Sequence, residues 1–267
     1  MNTRESLQQL HDRVQKNDRT LGHPEFTAQL PQLLEVLGHK DPEIRDVYGA
    51  SFFSKYFRST LFPPAMRGEI LELLSSSEFL FFEIERGATE ATLKRSFAAL
   101  AISDILIGEL QNGPAIHSNE LVQLADKLCF YLQNETDWRG RDAKLGWVHS
   151  VAHVSDAFWV LAMHPLVDEQ IKEKCFFALI NLIKSRGNQV FEYQEDFRLG
   201  RALSVLLESF NDNFVRKIFE TDFSREKIFK LSCCQNLLTT LRCVYLDLSV
   251  NAPQREALLS ILKKIIL

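Results

Sequence analysis

Glycine and proline are scarce in this sequence, with 11 glycines and 8 prolines among 267 residues. β-Sandwiches and β-barrels need many tight turns, and such turns depend on these two residues. Long apolar runs are missing as well, because no stretch approaches the roughly 18 apolar residues of a membrane span. The first twenty residues are polar and contain no apolar signal core. We therefore expect a cytoplasmic protein that has no membrane partner and is neither a β-sandwich nor a β-barrel.

The chain also has no excess of basic residues. Lysine and arginine total 31, aspartate and glutamate total 35, and the net charge is −4. Nucleic-acid-binding proteins usually carry a basic patch or stripe, because phosphate neutralisation supplies most of their affinity. The basic residues of this chain are dispersed, so nucleic acid is not an expected partner.

The cysteines do not suggest a metal site or a disulfide framework. Their number is odd, and no two have the CxxC spacing of a cysteine zinc site. All five lie within helix-like apolar patterns: Cys129, Cys175, Cys233, Cys234 and Cys243. Free buried thiols in a reducing cytosol are the expected state.

Helical periodicity dominates what is present. Segments such as TAQLPQLLEVL (27–37) and SNELVQLADKLCFYLQ (118–133) place apolar residues at i, i+3, i+4 and i+7, the pattern of an amphipathic helix. Short breaks rich in glycine and proline separate these segments. The pattern predicts about a dozen helices, no strand and a single all-α domain over residues 1–267, with a flexible N-terminal segment at 1–20.

A degenerate repeat runs through the helices. The pattern acid-x-x-aliphatic-base occurs at residues 41–45, 90–94, 168–172 and 212–216. Each copy opens an apolar helix, where an acid caps free N–H groups and suits the positive end of the dipole. DPEIRDVYGA, with Pro42 at the first helical position, looks like the second half of a HEAT repeat. These features favour a HEAT-like α-α superhelix of antiparallel helix pairs, although acids that merely cap helices would give the same pattern.

Residues 138–165 contain all three tryptophans and three of the seven histidines. The periodicity predicts a helix from about Lys144 to Met163, apolar on nearly every face and therefore buried. His149, His153 and Asp156 follow one another at i, i+4 and i+7, within a sector of roughly 60° on that helix. Buried imidazole and carboxylate groups need partners, so this polar line requires an explanation.

Three interpretations of the polar line stay open. The two histidines and Asp156 could bind a divalent metal, or they could line an anionic-ligand or catalytic pocket in which a histidine serves as acid or base. They could also form a structural network that ties a buried helix to its neighbours. Arg139 and Arg141, in the loop before the helix, are candidate partners for Asp156, or for an acid elsewhere, through paired hydrogen bonds.

Five blocks of sequence carry a family resemblance. The blocks are RG (139–140), GWVHSVAHVSDAF (146–158), EDFRLGRAL (195–203), RSFAALAISDIL (95–106) and DPEIRD (41–46). Through these blocks the chain resembles the bacterial family known as domain of unknown function 2785 over roughly residues 30–250. The resemblance implies an all-helical, bacterial, cytoplasmic protein and brings no activity with it. It marks the positions Arg139, Gly140, Gly146, Trp147, His149, His153, Asp156, Glu195 and Arg198.

Glu195 and Arg198 extend the candidate site. Arg198 could pair with Glu195 in the first turn of a helix. If Glu195 instead packs against the predicted helix 144–163, two imidazoles and two carboxylates (with Asp156) would form a metal or acid–base centre.

Two functions follow from these observations. Stacked helix pairs offer an extended concave face, so we expect a non-catalytic binding or scaffold protein with a protein or peptide partner and no cofactor. The alternative is a metal- or anionic-ligand-binding protein, or a hydrolase-like enzyme, centred on His149, His153 and Asp156 with Glu195.

Overall fold

The structure is a computed structural model that describes residues 3–185, 190–211, 213–214, 234–249 and 252–266. In these ranges the α-helices are α1 (Thr3–Gln15), α2 (Pro24–Thr27), α3 (Leu30–Leu34), α4 (Ser51–Arg58), α5 (Arg67–Leu74), α6 (Ala91–Asn112), α7 (Ser118–Asn134), α8 (Ser150–Met163), α9 (Glu169–Ser185), α10 (Glu195–Glu208), α11 (Cys234–Asp247) and α12 (Pro253–Ile266). Short 3₁₀ turns lie at Arg19–Gly22, Glu35–Gly38, Pro64–Met66 and Ile84–Arg86, and a π-helical segment spans Glu43–Ala50. The prediction of an all-α fold is confirmed.

The most extensive contacts between helices join them one after another in a row. α4 packs on α6, α6 on α8, α8 on α10, and α10 on α11. α7 and α9 pack on each other, and both also contact α8. α6, α8 and α10 are the inner helices of the row, because each has a helix of the row on either side.

Buried residues cover nearly every face of α6 and α8, as expected for helices without a continuous polar face. Small residues in α6 allow close approach: a Cβ at Gly108 would overlap the carbonyl oxygen of Phe57 in α4. α4 contributes four buried aromatic rings to the core, and the tilted ring of Phe62 packs against two of them. The helices that carry the candidate site are therefore supported by the tightly packed contact between α4 and α6.

The predicted start of the tryptophan–histidine helix was wrong. The helix α8 begins at Ser150, and the preceding residues form a hairpin of two antiparallel two-residue strands, β1 (Arg141–Asp142) and β2 (Gly146–Trp147). Gly146 has a φ of +73°, a left-handed conformation that glycine adopts without a steric penalty. This turn keeps the helix from extending back to residue 144, and it corrects the prediction that the chain has no strand.

Three further predictions can be compared with the structure. Residues 1–20, predicted as a flexible segment, contain α1, whose Leu7 is buried. No helix among the described residues is long and apolar enough to cross a membrane. Cys129, Cys175 and Cys243 are free thiols. The fourth copy of the repeat pattern (212–216) lies only partly within the described residues, and Cys233 lies outside them.

Candidate functional site

The loop that leads into α8 is anchored at its start by a buried ion pair. Arg95 of α6 has no exposed side-chain surface and binds Glu135 through two hydrogen bonds, of 2.7 and 3.0 Å. The same guanidinium donates to the carbonyl oxygens of Phe82 and Gly87. A buried arginine with its donors satisfied in this way fixes the backbone around it.

Arg139 serves this loop rather than Asp156. It donates to Asp137 from Nε at 2.9 Å and to Asp142 from Nη1 at 2.8 Å, and these carboxylates raise the pKa of Arg139. The Arg141 guanidinium lies 5.7 Å from the centre of the Trp147 ring. Of the two alternatives open for Arg139, a pair with Asp156 or with an acid elsewhere, the second is formed, and Asp156 has other partners.

Arg45, in the DPEIRD block, attaches the hairpin to the π-helical segment. Its fully buried guanidinium donates to the carbonyl oxygens of Leu145 at 2.7 Å, Trp147 at 3.2 Å and His39 at 2.9 Å. The basic residue of this copy of the repeat pattern thus contacts a segment about a hundred residues further along the chain. Its role is to fix the backbone on both sides of Trp147.

His149 lies immediately before α8 and has a left-handed backbone, with φ at +50°. Its N–H donates to the carbonyl oxygens of Arg139 and Gly140, at 3.1 and 3.2 Å. The imidazole is 7% exposed, and its Nε2 has no hydrogen-bond partner among the described residues. Burial, with help from the charge of Arg198, lowers the pKa of His149 to about 4.

His153 lies one turn further on, with its ring 5.4 Å from that of His149. Its Nδ1 is 2.9 Å from the hydroxyl of Ser96, and its ring packs edge-on against Phe97 at 4.9 Å. Burial lowers the pKa of His153 well below 6.5. Both imidazoles are therefore neutral at physiological pH.

Asp156 binds two arginines of α10. Arg198 donates from Nη1 to Oδ2, and Arg201 donates from Nη2 to Oδ1 at 2.7 Å. Burial raises the pKa of Asp156, and the two arginines oppose that shift. The guanidinium of Arg201 also lies 3.7 Å from the centre of the Trp159 ring. Arg198 thus pairs with Asp156, not with Glu195 as the sequence suggested.

Glu195 does not join the histidines. Its Oε2 accepts a hydrogen bond from the N–H of Tyr193 at 2.8 Å, and its Oε1, without a hydrogen-bond partner among the described residues, lies where a Cβ of Gly140 would be. Burial raises the pKa of Glu195. Within the described ranges no three His, Cys, Asp or Glu side chains are arranged to hold a metal ion. The predicted centre of two imidazoles and two carboxylates is not formed.

Sequence reasoning missed Arg201 and also the pair of Arg58 and Asp104. Nε of Arg58, at the end of α4, donates to the buried Oδ1 of Asp104 at 2.7 Å. Burial raises the pKa of Asp104 to about 6. A single acid in the apolar run RSFAALAISDIL was the available signal, since a buried carboxylate needs a partner.

These side chains line two adjoining cavities. The first, of about 650 Å³, lies between α6, α8 and α10 and is lined by Arg58, Arg198 and Arg201 together with Asp156; we call it the arginine cavity. The second, of about 490 Å³, is lined by aromatic and imidazole rings, and we call it the ring cavity. Its rings belong to Phe97, Trp147, His149, His153 and Tyr193.

The fold and the cavities define an all-α protein with an arginine-lined cleft beside a loop anchored by buried ion pairs. The chain belongs to the family described as Protein of unknown function (DUF2785), whose model matches residues 80–246. This range holds every residue of the site except Arg58 and the π-helical segment, and the family resemblance is confirmed. Neither the curated proteins nor the solved structures give a match.

Proposed function

We propose that this protein binds an anionic organic ligand in the arginine cavity and acts without catalysis or a cofactor. One observation carries the proposal: three partly exposed arginines face one cavity with only two aspartates between them. Arg58, Arg198 and Arg201 against Asp104 and Asp156 leave one positive charge in excess. A carboxylate, sulfate or phosphate group would balance it.

The arginines keep donors available for such a group. Their side chains are 43%, 28% and 28% exposed for Arg58, Arg198 and Arg201. An arginine has five N–H donors, and the hydrogen bonds to the two aspartates use only some of them. The aspartates therefore orient the guanidinium groups without saturating them.

Apolar side chains complete the arginine cavity. Leu100, Ile107 and Leu110 of α6 line it, and its volume lies within the range of about 300–1,000 Å³ that is usual for small-molecule sites. The ligand should therefore combine an acidic group with an apolar body.

A protein or peptide partner is the second candidate. Three large apolar side chains of this cavity, Leu110, Met163 and Phe197, are exposed, and exposed apolar surface around a charged site is typical of protein contacts. The side-by-side row from α4 to α11 supports a HEAT-like arrangement whose face would receive an acidic segment. The family resemblance supports a bacterial, cytoplasmic location.

The carboxylates that could serve hydrolysis or hold a metal, Asp156 and Glu195, already have other partners. This favours binding as the function. Asp156 is held by two arginines, and Glu195 faces Tyr193 and Gly140 instead of the cavities. A general base must reach the proton that it removes, and neither carboxylate lies beside the two histidines in a way that serves this role.

Calorimetric titration with acetate, hexanoate and sulfate tests the proposal. Arg198→Gln should weaken binding roughly ten-fold or more, because a charge-assisted hydrogen bond contributes about 1.5–3 kcal/mol. Arg86→Gln, which removes a surface arginine paired with Glu83, is the matched control and should bind as the wild type does. Absence of binding, or equal losses in both variants, would refute the proposal. Acidic peptides titrated in parallel decide between the two candidates: the second requires that peptides bind and small acids do not.

A further inference from the structure

We propose that the ligand carries, beside its acidic group, a planar aromatic or heteroaromatic ring that lies in the ring cavity. This inference rests on the proposed function and specifies the class of ligand. It follows from the ring contacts, an unpartnered nitrogen, two strained residues and the junction of the two cavities.

The rings of this cavity form a continuous series. Tyr193 meets Trp147 edge-on at 5.9 Å, and Trp147 lies 4.5 Å from His149 at an angle of 33°. His149 and then His153 continue the series towards Phe97. Trp147 is 40% exposed and Tyr193 is 37% exposed, so both retain surface on which a further ring can stack. Aromatic rings prefer such offset and edge-on neighbours.

His149 offers a polar contact among these rings. The imidazole lines the ring cavity, is more than nine-tenths buried, and has an Nε2 without a hydrogen-bond partner among the described residues. Buried polar atoms are normally paired, and leaving one unpaired costs about 1–3 kcal/mol. A ring nitrogen, amino group or hydroxyl of a ligand would complete this contact.

Backbone strain is concentrated at the same place. His149 (φ +50°) and Gln194 (φ +69°) are two of the four non-glycine residues with positive φ in the described ranges, and both line the ring cavity. Such residues persist only where the surroundings impose them, and they cluster at ligand sites. For His149 the imposing contacts are the carbonyl oxygens of Arg139 and Gly140.

The two cavities adjoin closely enough for one molecule to occupy both. Leu100, Gln194 and Arg198 line each of them. A ligand with its ring near Trp147 can therefore present an acid to Arg198 without leaving the cleft. Aromatic carboxylic acids and nucleotides share this chemistry, and separate probes distinguish them.

The test compares acids with and without a ring. Indole-3-acetate should bind at least roughly ten-fold more tightly than acetate, or adenosine monophosphate at least roughly ten-fold more tightly than sulfate, because stacking on an aromatic side chain is worth about 1–3 kcal/mol. A gain for the first pair alone identifies an aromatic carboxylic acid, and a gain for the second pair alone identifies a nucleotide. Either gain supports the inference.

Variants test whether the gain in affinity from the ligand's ring arises in the ring cavity. Trp147→Leu should remove most of the ring's advantage and leave the affinity for acetate and sulfate unchanged, and Tyr193→Leu should have a smaller effect in the same direction. Phe130→Leu, at an exposed aromatic residue of α7, is the control and should change neither. Thermal unfolding of each variant confirms that it is folded.

Failure of this inference can be distinguished from failure of the proposed function. If plain anions bind through Arg198 and a ring adds nothing, the inference is overturned and the proposed function stands. If indole or adenosine binds as tightly as its acidic counterpart, and Arg198→Gln has no effect, both are overturned. Equal losses in Trp147→Leu and Phe130→Leu would also overturn the inference.

Discussion

The carboxyl group of Asp104 controls how much positive charge the arginine cavity offers. Asp104 is buried in α6, where it faces Arg58 and Ser54 from α4 and Asp156 from α8. Burial raises its pKa to about 6, and the Coulomb repulsion of Asp156 adds to this against the opposing effect of Arg58. Because this pKa lies above the ordinary 3.8, protonated Asp104 stabilises the fold at low pH, and that contribution is lost as the pH rises through about 6.

We expect sulfate to bind more tightly as the pH falls from about 7 to about 5. Protonation of Asp104 removes the counter-charge of Arg58, and the raised pKa of Asp156 acts in the same direction. Sulfate keeps its charge over this range, so calorimetric titration reports on the protein alone. Asp104→Asn should bind sulfate several-fold more tightly at pH 7 and show a flatter pH dependence.

Glu35→Gln is the control for this experiment. It removes an exposed carboxylate that binds Lys94, and the wild-type pH dependence should persist. A pH dependence that is as steep in Asp104→Asn as in the wild type would show that another group titrates.

The side chains named from the sequence divide into those that line a cavity and those that pair elsewhere, such as Arg139. Trp147, His149, His153, Asp156 and Arg198 all line one of the two cavities. Rare residue types grouped in residues 138–165 drew attention to the first four, and the EDFRLGRAL block drew attention to Arg198. Their partners were not predictable, because the pairing of Asp156 with Arg198 joins residues 42 apart and depends on how α8 meets α10.

The short hairpin before α8 is an element that the sequence could not predict, again because a distant contact determines it. Apolar spacing over 144–163 favours a helix, and the spacing alone gives no reason to stop at Ser150. The turn depends on Gly146, and a Cβ there would meet the ring of Pro42 at 2.8 Å. That contact comes from a segment about a hundred residues earlier, so local periodicity could not predict it.

Arg45 should be essential to the position of this hairpin. Arg45→Met would leave the carbonyl oxygens of Leu145 and Trp147 without their donor and would break the ion pair with Asp46. We expect the free energy of unfolding to fall by about 3 kcal/mol or more, measured by urea denaturation.

The control for Arg45→Met is Arg13→Met, which breaks a partly exposed ion pair with Asp18 and should cost about 1 kcal/mol or less. Similar losses in the two variants would mean that Arg45 contributes no more than a surface ion pair, and the proposed anchoring of the hairpin would be wrong.

In the molecule as a whole, one connected set of buried apolar side chains extends from Leu7 in α1 to Leu262 in α12. Helical periodicity predicted the all-α class because each helix buries a face that is visible in its own sequence. The order of the row could not be predicted in this way, since it depends on complementary contacts between distant helices. A single domain over residues 1–267 stays a prediction, and the contact between α4 and α6 offers a way to test it.

Gly108→Ala should separate α4 from α6, because the added Cβ would overlap the carbonyl oxygen of Phe57. We expect a loss of about 1–3 kcal/mol in the free energy of unfolding. All three tryptophans lie between residues 138 and 159, well beyond this contact in the chain. In a single domain, tryptophan fluorescence and far-UV circular dichroism should report one lowered urea midpoint, because α6 also packs on α8. If the fluorescence midpoint keeps its wild-type value while part of the dichroism is lost earlier, the chain divides between α4 and α6 into two units that unfold separately.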